Sequence, residues 1–180
     1  MLVNSVGLSQ AELAHMQNTT NNPLSNFQPS VESEVENDPL GLSSDLNKIT
    51  PFYSSDQGSI VRLGKDQNPN MFMTLQRTIL KPNAMRTPHW NTAGNELLYV
   101  QDGVAFISMM DDDGKVYQRL VQRGDLISIP VGNFFGLINV GSKDLEIYEA
   151  IQTPDKFNEI TLLGGAKQFN TDVLQGALNI

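Results

Sequence analysis

The stretch KPNAMRTPHWNTAGNELLYVQDG, Lys81 to Gly103, decides how the rest of this chain is read. Its first half ends one strand and carries His89 and Asn91 two positions apart. A turn containing Gly94 follows, and Glu96 opens a second strand. Side chains at i and i+2 of a strand point to the same face. His89 and Asn91 therefore look into one space, and Glu96 joins them from the neighbouring strand. A sheet gathers metal ligands or a polar binding floor in this way, so the functional question is whether the set is complete enough to hold a metal.

Working outward, the flanking sequence alternates and turns at short intervals. Ser59–Leu63 and Met71–Leu80 precede the stretch, the latter placing Phe72, Thr74, Gln76 and Thr78 on one face. Glu96–Gln101 and Val104–Met110 flank Asp102-Gly103, a hairpin signal. Asp111-Asp112-Asp113-Gly114 turns the chain into Val116–Val121. Leu126–Ile129, Phe135–Val140 and Leu145–Ile151 follow. Short strands with turn signals at this spacing indicate an antiparallel all-β sandwich or barrel. After Thr153 the pattern stops being strand-like, and Thr171–Leu178 reads as a capped terminal helix weakened by Gly176. Met71, Met73, Leu97, Tyr99, Ile127 and Ile129 make some strands apolar on both faces, so part of the outer surface is expected to meet another layer or subunit.

Residues 1–48 read as a mostly irregular arm and residues 49–180 as one domain. The arm is rich in Asn, Ser, Pro and Glu, with a capping box at Ser9–Glu12 and a short helix over Ala11–Gln17. Six acids and no base precede Lys48, whereas the remaining fourteen acids face all twelve bases. Overall the 180 residues carry a net charge of −8, which disfavours nucleic acid and anionic membrane surfaces as partners. There is no cysteine, hence no disulfide, thiolate metal site or Cys nucleophile. Neither a signal peptide nor a transmembrane span is read. Compartment is left open, with the cytoplasm as the default.

At this point the chain resembles the cupin superfamily. The first cupin motif, G-x5-H-x-H-x3,4-E-x6-G, has its spacing reproduced by His89, Asn91, Glu96 and Gly103. The second, G-x5-P-x4-H-x3-N, is reproduced by Gly124, Pro130, Phe135 and Asn139. The resemblance covers roughly residues 55–178. It implies an antiparallel jelly-roll β-barrel with a short C-terminal helical tail. It also implies homo-oligomers: dimers, and trimers or hexamers beyond them. Metal-binding members use three His and one Glu. By position this chain keeps His89 and Glu96 but has Asn91 and Phe135 where two imidazoles belong, and Asn83 where the first glycine belongs. The segment from Asn83 to Asn91, with Leu162-Leu163-Gly164-Gly165 in the tail, is most similar to the second module of legumin-type seed storage globulins. The oxalate decarboxylase and germin branch shares the layout. One module fits in this chain, against two in the storage globulins and oxalate decarboxylases.

Asn is a poor donor for Mn, Fe, Ni or Zn, and Phe donates nothing. The reading is therefore a degenerate metal site with no cofactor. Were a metal present, His89, Glu96 and Asn91 would hold it, and Mn or Fe is the alternative. Three uses remain for the residues. They satisfy a polar interior, they form with Phe135 a pocket for a small polar ligand, or His89 and Glu96 act as a metal-free acid–base pair. The function expected is a non-catalytic, storage-like, structural or small-molecule-binding protein. The opposing class is a metal-dependent enzyme of the oxalate decarboxylase, germin or isomerase type. Elsewhere, His15 and Glu159 read as solvated side chains, although Glu159 falls where oxalate decarboxylases carry a lid acid. Asp111–Asp113 lacks the spacing of a calcium loop. Arg77 and Arg86 flank the site, each able to reach an anion or to stand exposed. Gly94 and Gly103 are assigned to turns that need positive φ.

Overall fold

The computed structural model describes Ser9, Ala11, residues 43–153 and residues 159–178. The chain divides between Asn37 and Asp38 into two compact units. The helix expected over Ala11–Gln17, and the rest of the arm up to residue 42, lie outside the described residues except for Ser9 and Ala11. The second unit, from Asp38 onward, holds the strands and helices that build the fold.

Eleven strands and two short helices are described: β1 (Tyr53–Ser55), β2 (Gly58–Leu63), β3 (Thr74–Leu80), β4 (Met85–Asn91), β5 (Glu96–Asp102), β6 (Val104–Met110), β7 (Val116–Gln122), β8 (Leu126–Ile129), β9 (Phe134–Asn139), β10 (Leu145–Ile151), β11 (Glu159–Thr161), α1 (Leu162–Ala166) and α2 (Thr171–Leu178). They form a six-stranded sheet, β1-β2-β3-β10-β5-β8, and a five-stranded sheet, β11-β4-β9-β6-β7. Every pairing among these strands is antiparallel. The sheets face one another as a jelly roll. Leu98, Val100, Leu145 and Ile147 from one layer share a buried cluster with Ala105, Ile107, Phe135 and Leu137 from the other.

The strands alternate as half-buried strands must. In β3, Thr74, Gln76, Thr78 and Leu80 are buried and the residues between them are not. Phe72, expected on the same face, precedes the strand and is exposed. β1 and β11 are additions to the expected strands. Each is three residues long, too short to show a period.

The turns explain why the motif spacing survives. Asn139, fully buried, donates from Nδ2 to the carbonyls of Leu80 (2.9 Å) and Lys143 (2.7 Å) and accepts from Gly141 N–H at 2.9 Å. One amide thus ties the end of β3 to the β9–β10 turn. Asn83, in place of the motif glycine, sits at φ 64°. Asn is among the few side chains that tolerate this left-handed region. Gly103 has φ 91°, as its turn requires, whereas Gly94 is not among the positive-φ residues. The expectation for Gly94 is corrected: a Cβ there would collide with the carbonyl oxygen of Gln152, so close backbone approach is what demands glycine. Helix α2 spans the expected residues, with its cap supplied by Asn170 Oδ1 accepting from Val173 N–H at 3.0 Å.

Candidate functional site

Strand alternation assembles a polar cluster between the sheets. In the six-stranded sheet, Arg62 pairs with Gln76, Gln76 with Glu149, and Glu149 with Leu98, a row across four strands. Glu96 lies on the same face of β5, two residues before Leu98. The facing sheet contributes Arg86, His89 and Asn91 from β4, Phe135 from β9 and Glu159 from β11.

His89 is 1% exposed. Its Nδ1 lies 2.8 Å from the Thr87 carbonyl, so Nδ1 carries the proton and Nε2 is left with its lone pair. Phe135 pairs with His89 across the strands and lays its ring against the imidazole, centroids 4.3 Å apart. Burial, then the nearby Arg86 guanidinium, lowers the His89 pKa, which keeps the ring neutral near pH 7.

Asn91 is engaged in its own turn. Its Oδ1 accepts from Ala93 N–H at 2.8 Å and its Nδ2 donates to the Gly94 carbonyl at 3.3 Å. It also lends a hydrogen bond to Glu96. Glu96 has its pKa raised to about 8, by burial first and then by Glu149 and Glu159. It is therefore a neutral acid at physiological pH.

Glu149 is a member of the site that the sequence did not single out. It is 1% exposed and accepts from Gln76 Nε2 at 2.9 Å and Thr78 Oγ1 at 2.7 Å. With His89 and Glu96 it forms a triad whose donor atoms all lie within 4.8 Å of one another. A signal existed in Leu145–Ile151, where Leu145, Ile147 and Ile151 share a face with a carboxylate. A charged residue on an inward apolar face needs a partner.

Glu159 is corrected from a solvated surface residue. Its side chain is 11% exposed and its Oε2 accepts from Arg86 Nη2 at 2.6 Å and Arg62 Nη2 at 3.2 Å. Burial, the largest single influence, raises its pKa, but the charge and hydrogen bond of Arg86, with His89 and Arg62, together outweigh it and hold the carboxylate below its ordinary value. Arg62 in turn donates through Nε and Nη2 to Gln76 Oε1, at 3.0 and 2.7 Å, closing the circuit back to Glu149. Of the two flanking arginines, Arg86 enters the site, whereas Arg77 reaches away to Asn47 Oδ1 at 2.8 Å. A cleft of about 370 Å³ opens beside Arg86 and Glu159, walled by Phe52, Tyr53, Ile60 and Thr161. In the acidic turn, Asp111 Oδ1 accepts from Lys115 N–H at 2.8 Å, an ordinary turn contact.

Residues 44–180 match the family model described as Cupin. The chain belongs to the cupin family. It is 30% identical over 137 residues to a 13S globulin basic chain of Fagopyrum esculentum, covering 72% of this chain and 69% of that one. Among solved structures it is similar to the oxalate decarboxylase of Lactobacillus farciminis (TM-score 0.80, 20% identity, 99% of this chain and 54% of that one). It is also similar to procruciferin, an 11S globulin of Brassica napus (TM-score 0.79, 20% identity, 99% and 48%). This cupin thus spans about half the length of those two solved chains.

Measured against the three-imidazole, one-carboxylate set that the resemblance implies, this cupin does not fit. The third imidazole position holds a ring with no donor, and the second holds an amide bound into its own turn. What it offers instead is one imidazole and two carboxylates, a different donor set drawn from β4, β5 and β10.

Proposed function

We propose that this cupin is non-catalytic and free of a transition-metal centre, and acts as a storage-like or structural protein with capacity for a small polar ligand. The carrying observation is Phe135 seated on His89 at 4.3 Å, in the place of an imidazole. The rest of the cluster supports this reading. Asn91 is consumed by its turn, and Arg86 is occupied by Glu159 at 2.6 Å. The similarity to a globulin basic chain over most of that chain's length tilts the role toward storage. The cleft beside Arg86 and Glu159 is where a small polar molecule would enter.

One observation favours a second reading, a metal-dependent cupin carrying Mn or Fe. His89, Glu96 and Glu149 converge within 4.8 Å, and the Thr87 carbonyl fixes the tautomer that frees Nε2. Metal analysis of protein purified without chelators, with an oxalate turnover assay, separates the two. The first reading expects substoichiometric metal and no turnover. Near-stoichiometric Mn or Fe that disappears in Glu149→Gln would establish the second.

A further inference from the structure

We propose that the cleft between the edge strands β7 and β8 binds an amphipathic carboxylate, with its hydrocarbon body between the sheets and its charged end on the Arg119 guanidinium. This site is separate from the cleft beside Arg86 and Glu159, with which it shares no wall residue. The inference does not depend on whether the interior holds a metal.

The cleft follows from the topology. β7 closes one edge of the five-stranded sheet, and β8 closes one edge of the six-stranded sheet. Each is bonded to a single neighbour, β6 and β5 respectively. The two strands leave a common turn, in which Asp125 N–H donates to the Gln122 carbonyl at 2.9 Å, and then enter different layers. The sandwich therefore opens like a wedge at this edge. On the inward row of β7, exposure climbs from 3% at Val121, next to the turn, to 43% at Tyr117. The resulting cleft encloses about 540 Å³. Small-molecule sites run from roughly 300 to 1,000 Å³.

The floor of the cleft is hydrocarbon. Ile107 and Met109 of β6 look across it to Ile127 and Ile129 of β8. Ile107 and Ile129 belong to the buried core cluster, and Met109 and Ile127 pack against it. Met109 Sδ accepts from Asn133 Nδ2 at 3.6 Å, which holds the thioether in place.

Arg119 breaks this pattern. It pairs with Ile107 across β6 and β7, and so stands on the inward, apolar side. A charged group on such a face calls for a partner. Among the described residues Arg119 has no ion pair and no hydrogen bond through its side chain. No Asp or Glu lines the cleft. Over most of its surface a chain of net charge −8 repels anions, so an unopposed guanidinium is where one is accepted. Set above an apolar floor, it selects an anion with a hydrocarbon body. The guanidinium fork presents two parallel N–H donors that match a carboxylate. Tyr117, on the same row, adds a ring wall, and Lys115 Nζ lies 4.9 Å from that ring as a second cation at the rim.

The test is calorimetric titration of the full chain with octanoate, and saturable binding is expected. Arg119→Gln should weaken it about tenfold, as loss of a charge-assisted hydrogen bond does. Arg123→Gln removes the same charge from the adjoining turn, outside the cleft, and should leave the affinity unchanged. Octanol, which lacks the anion, should bind about tenfold more weakly than octanoate. Hexanoate, two methylenes shorter, should also lose about tenfold. Methyl labelling of the methionines locates the ligand: the Met109 signal should shift on adding octanoate, and that of Met85, which borders the Arg86 cleft, should not. Absence of saturable binding would overturn the proposal. So would equal losses in Arg119→Gln and Arg123→Gln, octanol binding as tightly as octanoate, or a shift of Met85 in place of Met109.

Discussion

Two buried polar sites in this cupin are built on opposite principles. At one, Asn139 makes three neutral hydrogen bonds to backbone groups of two turns that lie near it in the fold. At the other, side chains arrive from β2, β4, β5, β10 and β11: Arg62 and Arg86 pair with the Glu159 carboxylate, and Glu149, Glu96 and His89 gather beside them. The first needs one residue of one type and keeps the motif's identity. The second draws its members from five strands, and each is held by the others rather than by a turn. Asn139, which ties two turns, is a different residue from His89, Glu96 and Phe135 at the positions that the resemblance gives to ligands, whereas Asn91 serves its own turn at such a position.

The largest effect expected separates the two sites by pH. Arg86→Ala leaves the Glu159 carboxylate with Arg62 alone, at 3.2 Å, and should cost roughly 1.5–3 kcal/mol of unfolding free energy near pH 7. Asn139→Ala removes three hydrogen bonds, of which the buried one to the Leu80 carbonyl carries roughly 1–3 kcal/mol and the two part-buried ones less, a loss of similar size. The folded-state pKa of Glu159 is depressed, so its contribution is present above the unfolded value and vanishes as pH falls through the folded one. Chemical denaturation at pH 7 and pH 3 should therefore show the Arg86→Ala penalty shrinking in acid and the Asn139→Ala penalty unchanged. Parallel behaviour of the two variants would mean that charge is not what distinguishes the sites.

A smaller effect isolates Glu96. Its folded pKa of about 8 lies above the unfolded value, so between those limits the folded state binds the extra proton and stability falls as pH rises. His89, whose pKa is lowered, acts only below its unfolded value of 6.5. Among the described residues Glu96 is the group whose shift acts from pH 6.5 to pH 8, and wild-type stability should drop by roughly 1.5 kcal/mol over that window. Glu96→Gln should be flat over that window. A wild type equally flat would show that the Glu96 proton is not held.

Restoring ligands sharpens the comparison further. Phe135→His combined with Asn91→His should create calorimetrically measurable Zn or Mn binding that the parent lacks. Equal binding by the parent would mean that the replaced positions never mattered. The smallest effect belongs to the turns: Asn83→Ala, at φ 64°, should cost about 1 kcal/mol by thermal melting, and Asn83→Gly nothing measurable.

The fold was legible in the sequence because it rests on local signals. Alternation sets the strand faces, Asp102-Gly103 and Asp111–Gly114 set hairpins, and Gly124, Pro130 and Asn139 hold the motif spacing. The position of His89 against Phe135 followed from the same spacing, since the two residues pair across β4 and β9. Glu149 and the Arg62–Glu159–Arg86 chain were not legible, because they meet only when strands distant in sequence are laid side by side. Glu159 is the clearest case. β11 has three residues, no period to read, and an acid whose partner Arg86 is 73 positions away.

The central claim is that this cupin has surrendered metal chemistry, and metal content tests it most directly. Protein purified without chelators, assayed by mass spectrometry for Mn, Fe, Ni and Zn, should carry far less than one ion per chain, and His89→Ala should not change the amount. Close to one ion per chain, lost with His89→Ala or Glu149→Gln, would contradict the account.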